Sequence, residues 1–250
     1  RPDALFLVLK SVESQTIIPY DVIIADDGSD NDTKELIQEY QLNTNLNITH
    51  LWQKDKGFRV SKSTNKAISK SKGSYVVLID GDMILHPEFV CDHMRNAEQG
   101  CFIQGTRVLL TEEQTHNTIK NLNYSFSFFS RGLNNRKNAL HFNFLSKLLI
   151  KRVKYLKGIK TCNMSFFKQD CININGLNTD FEGWGRQDTE FALRLINSGV
   201  MRKNVRFNAI QFHLWHAENT NVALRKNDEI LSSSTNNNSK WCINGIDKYL

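Results

Sequence analysis

The chain has 250 residues, 40% of them hydrophobic and 10% aromatic, with a formal net charge of +6 and an isoelectric point of about 9.0. That much apolar surface excludes global disorder, and the length suits one large α/β domain or two small ones. No run approaches the ~20 apolar residues of a spanning helix. The five cysteines form no Cys-x-x-Cys pair, which argues against a zinc site and for free thiols in a reducing compartment.

Leu5, Val8, Leu9 and Val12 recur at helical spacing and predict a helix over 4–12. Residues 21–25 read as a short buried strand, ended by Asp26-Asp27-Gly28-Ser29. Ser29 or Asp32 is placed to cap the helix that runs to Tyr40. Strands follow at 48–52 and 75–79, with a helix marked by Val60, Thr64, Ala67 and Ile68 between them. The second strand runs into Asp80-Gly81-Asp82. This alternation predicts a mostly parallel central sheet flanked by helices, with ligands outside the carboxyl ends of the strands. Both acidic turns fall there.

The second half is less regular. Residues 112–160 read as helical, with no clear strand. Between Arg131 and Lys160 lie nine Lys and Arg and no Asp or Glu. A strand is expected at 163–167, a helix at 187–198 and a strand at 210–215 ending in His216. Residues 232–239, SSSTNNNS, read as a low-complexity loop.

Four groups of residues carry chemistry. Asp80 and Asp82, two apart on a turn, can face one side and with a diphosphate make an oxygen-rich site for Mg²⁺ or Mn²⁺. A plain solvated turn has the same residues. A carboxylate of Asp26-Asp27 can accept hydrogen bonds from a base or ribose, though the pair also suits a turn and helix cap. In Phe181-Glu182-Gly183-Trp184-Gly185, two glycines bracket a tryptophan that can stack on a sugar ring. Asp188 follows at a helix start, placed as general base on a hydroxyl. The rival reading is a buried tryptophan beside an acid favoured by the helix dipole. His213 and His216 point to opposite sides of a continuous strand, so both reach one metal only if the chain turns between them. Imidazole ligands shift preference towards Mn²⁺.

These motifs, in order and spacing, resemble the inverting GT-A glycosyltransferases of family 2. They run from Arg1-Pro2-Asp3-Ala4-Leu5 through Gly57-Phe58-Arg59, Asn65-Lys66-Ala67 and Asn163-Met164-Ser165-Phe166 to His216. The second half resembles the C-terminal region shared by β-1,4-galactosyltransferases and chondroitin-synthase-type polymerases. The resemblance implies a single Rossmann-like GT-A domain over 1–250. Residues 1–110 would form the nucleotide-sugar-binding half; 111–250 would form the acceptor half, with the basic helical segment 131–160. It implies Asp27, Arg59, Asp80 and Asp82 on the nucleotide-sugar, Asp82, His213 and His216 on the metal, Trp184 and Gly183 on the acceptor, and Asp188 as catalytic base. Two departures stand out. The opening strand of the family, ending in Tyr-Asn, has no counterpart, so a trimmed start is expected. Gln187 replaces the acidic residue that precedes the base in galactosyltransferases.

The expected activity is transfer of a hexose or N-acetylhexosamine from a UDP-sugar to a glycan or lipid-linked oligosaccharide, with Mn²⁺ or Mg²⁺ as cofactor. Bacterial surface polysaccharide or lipopolysaccharide synthesis is the expected setting. The location expected is cytoplasmic, peripheral at the inner face of the membrane. There the segment 131–160 meets an anionic surface, its charges interleaved with Phe142, Phe144, Leu145, Leu148, Leu149 and Ile150. No nucleic-acid partner is expected. Two rivals remain: a metal-dependent phosphohydrolase using Asp80, Asp82, His213 and His216, and a non-catalytic glycan-binding module using Trp184 and Trp215.

Overall fold

A computed structural model describes residues 1–217 and 223–250. The first half alternates as its hydrophobic periods dictate: α1 (Pro2–Glu13), β1 (Val22–Asp26), α2 (Asn31–Leu42), β2 (Ile48–Trp52), α3 (Val60–Lys70) and β3 (Tyr75–Ile79). Then come β4 (Met83–Leu85), α4 (Phe89–Asn96), β5 (Cys101–Gln104), β6 (Thr106–Leu110) and α5 (Glu112–Asn121). The second half holds β7 (Leu133–Asn134), α6 (Asn143–Leu149), β8 (Lys151–Val153), β9 (Asn163–Phe167), α7 (Lys168–Asn173), α8 (Gln187–Asn197), β10 (Met201–Asn204), β11 (Ile210–His213) and α9 (Leu224–Asn236).

The strands form mixed sheets. β1 and β2 pair parallel, Val22 opposite Ile48 and Asp26 opposite Trp52. A second sheet has the order β3-β9-β5-β10-β8 and a third β4-β11-β6-β7. Only β10·β5 and β11·β6 are parallel within these two sheets. The antiparallel pairs come from β9 wedged between β3 and β5, and from short returns such as β4. Three apolar clusters fill the space between sheets and helices, one centred on Phe102, Phe166 and Phe191, one on Ile84, Val108 and Phe212, and one on Leu9, Ile37 and Phe89.

Several segments differ from their sequence reading. Residues 131–160 are not a basic helical segment; only the seven residues of α6 are α-helical, bracketed by β7 and β8. β8 forms because its backbone pairs antiparallel with β10, a tertiary demand that outweighs local propensity. Residues 232–236 belong to α9 rather than to a loop. Its polar residues have partners: Asn227 donates to the carbonyls of Glu182 and Gly185, and Ser234 to Glu190. Neither Ser29 nor Asp32 caps α2, whose N-cap position is Asp30. All five cysteines are free, and all but Cys91 are buried.

β1 and β3 are strongly apolar, yet none of the residues 75–79 is fully buried. Each strand has one edge without a strand partner among the described residues. Between them lies a cavity of about 450 Å³, lined by Val22, Ile23, Val77, Ile79 and Phe89 among others. The carboxyl end of β3 lies beside the start of β9, where Ile79 pairs with Asn163, and the turn after it meets the carboxyl end of β11 through the Leu214 N–H and the Asp82 carbonyl.

Candidate active site

β3 ends in the Asp80-Gly81-Asp82 turn, closed by the Met83 N–H donating to the Asp80 carbonyl at 3.3 Å. β4 then pairs antiparallel with β11, Met83 opposite His213, and the Leu214 N–H donates to the Asp82 carbonyl at 3.0 Å. The ladder thereby fixes Asp82 against the end of β11. Its Oδ2 lies 3.3 Å from His213 Nε2 and 3.4 Å from His216 Nε2. All three candidate ligand atoms fall within 4.8 Å of one another. Strand pairing stops at His213, and the turn after it brings His216 back to the same side, the condition two histidines at this spacing must meet. His216 Nδ1 sits 2.8 Å from the Ala217 carbonyl. A carbonyl only accepts, so Nδ1 donates to it, and the Nε2 edge of the ring faces Asp82.

Asp82 Oδ1 is buried with no hydrogen-bond partner among the described residues. An orphaned carboxylate oxygen is costly unless something positive meets it. With two imidazole nitrogens beside it, the donor set fits a divalent cation that accepts both nitrogen and oxygen, Mn²⁺ before Mg²⁺.

Asp80 has an exposed face, but protein crowds its carboxyl on the other sides. That crowding, then the negative charges of Asp82 and Asp188, pushes its pKa up to about 7, against the pull of Arg107 and His216. The same couplings put Asp188 in the field of the acidic turn. The Asp188 carboxylate accepts from the Thr161 N–H at 3.1 Å and from its hydroxyl at 2.8 Å. Burial raises its pKa, while Thr161 and Lys160 oppose the rise.

The loop before α8 presents Trp184, 46% exposed. Gly183 holds this loop: its φ is +72°, its N–H donates to the Phe58 carbonyl at 3.0 Å, and a Cβ there would lie 2.5 Å from that of Ala223. The half-exposed indole excludes the reading of Trp184 as a core residue.

At the end of β1, the two aspartates divide their work. Asp26 is buried and accepts from the N–H groups of Gly28 and Ser29 at 3.1 and 2.8 Å, with His50 Nε2 at 2.8 Å from its other oxygen. Burial acts to raise its pKa, and these hydrogen bonds outweigh it, leaving the acid lowered. Asp27 accepts from Gln53 Nε2 at 2.6 Å and from the Arg59 backbone N–H. Arg59 directs its guanidinium to the Lys54 carbonyl and leaves its buried Nε without a partner among the described residues. The structure therefore gathers Asp80, Asp82, His213, His216 and Asp188 in one electrostatic neighbourhood, and joins Asp27 to Arg59 at the end of β1.

Thr161, Arg107 and Gln53 escaped the sequence reading. Each acts through tertiary placement, and no local pattern marks them.

The family of "Glycosyl transferase family 2" matches residues 1–157. The chain belongs to that family. A second family, described as "N-terminal domain of galactosyltransferase", matches residues 147–217, the stretch that holds β9, α8 and β11. The chain is 25% identical to the chondroitin synthase of Escherichia coli over 80% of its own length and 31% of that protein. It is 24% identical to the hyaluronan synthase of Pasteurella multocida over 82% of its length and 22% of that protein. It thus spans less than a third of either of these two relatives. Among solved structures, GalNAc-T7 with UDP, GalNAc and Mn²⁺ superposes with a TM-score of 0.66 at 11% identity, over 92% of this chain and 46% of that one. This likeness establishes the GT-A fold.

Proposed function

We propose that this family 2 chain transfers a hexose or N-acetylhexosamine from a UDP-sugar onto a glycan or lipid-linked acceptor, with inversion, in bacterial surface polysaccharide or lipopolysaccharide synthesis. The observation that carries this is the convergence of the Asp82, His213 and His216 trio with Asp188 at the carboxyl ends of the strands. Asp82, His213 and His216 would hold Mn²⁺, which when bound offsets the charge growing on the diphosphate. Asp27, Arg59 and Asp80 serve the nucleotide-sugar side, and Trp184 on its Gly183 hinge gives the acceptor ring an aromatic platform.

The acceptor oxygen forms its bond to the anomeric carbon as the bond from that carbon to the UDP oxygen breaks. The hydroxyl proton passes to Asp188, and UDP departs with the bonding pair. Burial supports this role, because a raised pKa makes Asp188 a better proton acceptor than an ordinary aspartate. Thr161 orients the carboxylate and keeps its pKa from rising further.

The test is a panel of UDP-sugars with Mn²⁺, with and without glycan acceptor. Acceptor-stimulated UDP release supports transfer. Phosphate release would move the assignment to a hydrolase, and no release of either kind to a binding module.

A second element of the proposal is docking at the cytoplasmic face of an anionic membrane. No helix among the described residues is long and apolar enough to cross one. Phe144 is 76% exposed and Leu148 67%, with Phe142, Leu145 and Leu149 also outside the core, next to Lys147 and Lys151. Such exposure excludes a core role for this face and leaves an apolar surface rimmed with cations.

A further inference from the structure

An open cavity of about 370 Å³ lies between α8, α9 and residues 241–243. Its floor includes Glu190, two positions beyond Asp188 on α8. Side chains two apart on a helix diverge by about 200°, so this cavity opens on the opposite side of α8 from the catalytic carboxylate. Its wall carries Trp241, 53% exposed, together with Asn178, Asp180, Glu229 and Ser233.

The wall is preformed. Asn244 donates to Asp180 Oδ1 at 2.8 Å and accepts on its carbonyl from the Thr179 N–H at 2.9 Å, tying the loop of 178–180 to the segment that carries Trp241. Asn178 is buried and accepts the Asp180 N–H on Oδ1 at 3.0 Å, while its amide nitrogen donates to no described group. Glu190 is locked by Arg194 Nε at 2.7 Å and Nη2 at 2.8 Å, with the Ser234 hydroxyl at 3.2 Å. These contacts leave Asp180 Oδ2 and the Asn178 amide available to a ligand, with Glu229 beside them held by Arg225 Nε at 3.6 Å.

We infer that this cavity is a second carbohydrate subsite, separate from the one at Trp184, that takes neutral hexose or N-acetylhexosamine units of a glycan. A pyranose has an apolar C–H face for the indole and equatorial hydroxyls that donate to carboxylates and accept from an amide. The wall selects against uronic acids, whose carboxylate meets Asp180 as a like charge with no cation paired to it among the described residues. The inference goes beyond the transfer reading, since binding here uses neither nucleotide nor metal. A glycan held at Trp241 while its end lies at Trp184 would stay near the enzyme between additions.

The experiment is a titration with chitotetraose in EDTA, without nucleotide, followed by saturation-transfer NMR and calorimetry on wild-type, Trp184→Ala, Trp241→Ala and the double variant. Trp184→Ala should retain a binding event that weakens about tenfold or more when Trp241→Ala is added, the loss of roughly 1.4 kcal/mol. A uronate-containing oligosaccharide should bind that site more weakly than chitotetraose, and Asp180→Asn should narrow the gap. Both substituted tryptophans are half-exposed, and circular dichroism checks that the variants fold. Absence of binding in Trp184→Ala, or an isotherm unmoved by Trp241→Ala, would overturn the inference. Failure of sugar transfer with binding at Trp241 intact would instead count against the transfer reading alone.

Discussion

Thr161 grips the Asp188 carboxylate with two donors at once, its backbone N–H on one oxygen and its hydroxyl on the other. Two hydrogen bonds from one residue fix the plane of the carboxylate and leave the remaining lone pairs for an incoming hydroxyl. Asp188→Asn keeps the shape and removes the basicity, so turnover should fall by about 10²–10⁴-fold while UDP-sugar affinity holds. Steady-state kinetics alongside donor binding by calorimetry check this. Wild-type turnover in the variant would shift the role to Glu182.

The same grip sets a pH profile. Asp188 must be deprotonated to act, so activity is lost as pH falls through its raised pKa. Thr161 holds that pKa down, and Thr161→Val removes the hydroxyl's share. The acid limb of the profile should therefore move to higher pH in the variant. A limb that stays in place would separate Thr161 from the protonation of Asp188.

Asp82→Ala or His216→Ala should abolish Mn²⁺ binding measured by electron paramagnetic resonance, and with it most activity. EDTA should act likewise on the wild type. Full activity in EDTA rules out the metal-dependent reading. His213→Ala tests the third ligand; because His213 lies half-buried at a strand end, its melting temperature must be measured in parallel.

His93 offers a prediction about stability. It is fully buried, takes the Ser165 hydroxyl at Nδ1 (2.7 Å) and faces Asn163 Oδ1 with Nε2 (3.0 Å). Burial holds its pKa down at about 4, although Asn163 pulls the other way. An unfolded histidine titrates near 6.5. Below that pH the unfolded chain binds a proton that the folded chain refuses. Stability present above pH 6.5 is therefore lost as pH falls towards 4, by about 3 kcal/mol. Urea midpoints across this range should slope less steeply in His93→Gln, with His86, also held near 4 by burial and by His141, supplying the remainder.

The apolar face of α6 can be tested without any substrate. Phe144→Ser with Leu148→Ser should reduce sedimentation with anionic vesicles and leave the melting temperature unchanged, because both side chains already face water. Neutral vesicles and high salt should each weaken wild-type binding. Equal failure on both vesicle types would remove the membrane from the proposal.

The sequence was most readable where local pattern and tertiary structure agree. β2, β3 and β9 stand where their apolar runs placed them, and the Asp80–Asp82 turn follows directly from the end of one of those runs. α4, β4, β5 and β6 were not anticipated: Cys101–Gln104 is too short for periodicity to declare itself, and the Met83–Leu85 strand exists only because β11 lies beside it. α9 looked like a loop because serine and asparagine compete with the helix backbone in isolation. Here Asn227 and Ser234 are engaged by the loop of 182–185 and by Glu190 instead, which removes the competition. The acids and histidines that the fold draws together were marked in the sequence by their turns and spacing. Thr161 and Arg107 were not, since a threonine before a strand and an arginine within one carry no signal until the fold sets them beside carboxylates.

The cavity between β1 and β3 bears on how this chain behaves in the test tube. An ordinary exposed sheet edge offers an extended segment one ladder of hydrogen bonds. Among the described residues two unpaired edges border the same apolar space, so a segment that enters can pair on both sides and bury its side chains in one move. A gap of this kind also forfeits dispersion contacts along its walls. A cysteine introduced at Ile23 or Val77 would report the occupancy of that space by its rate of alkylation.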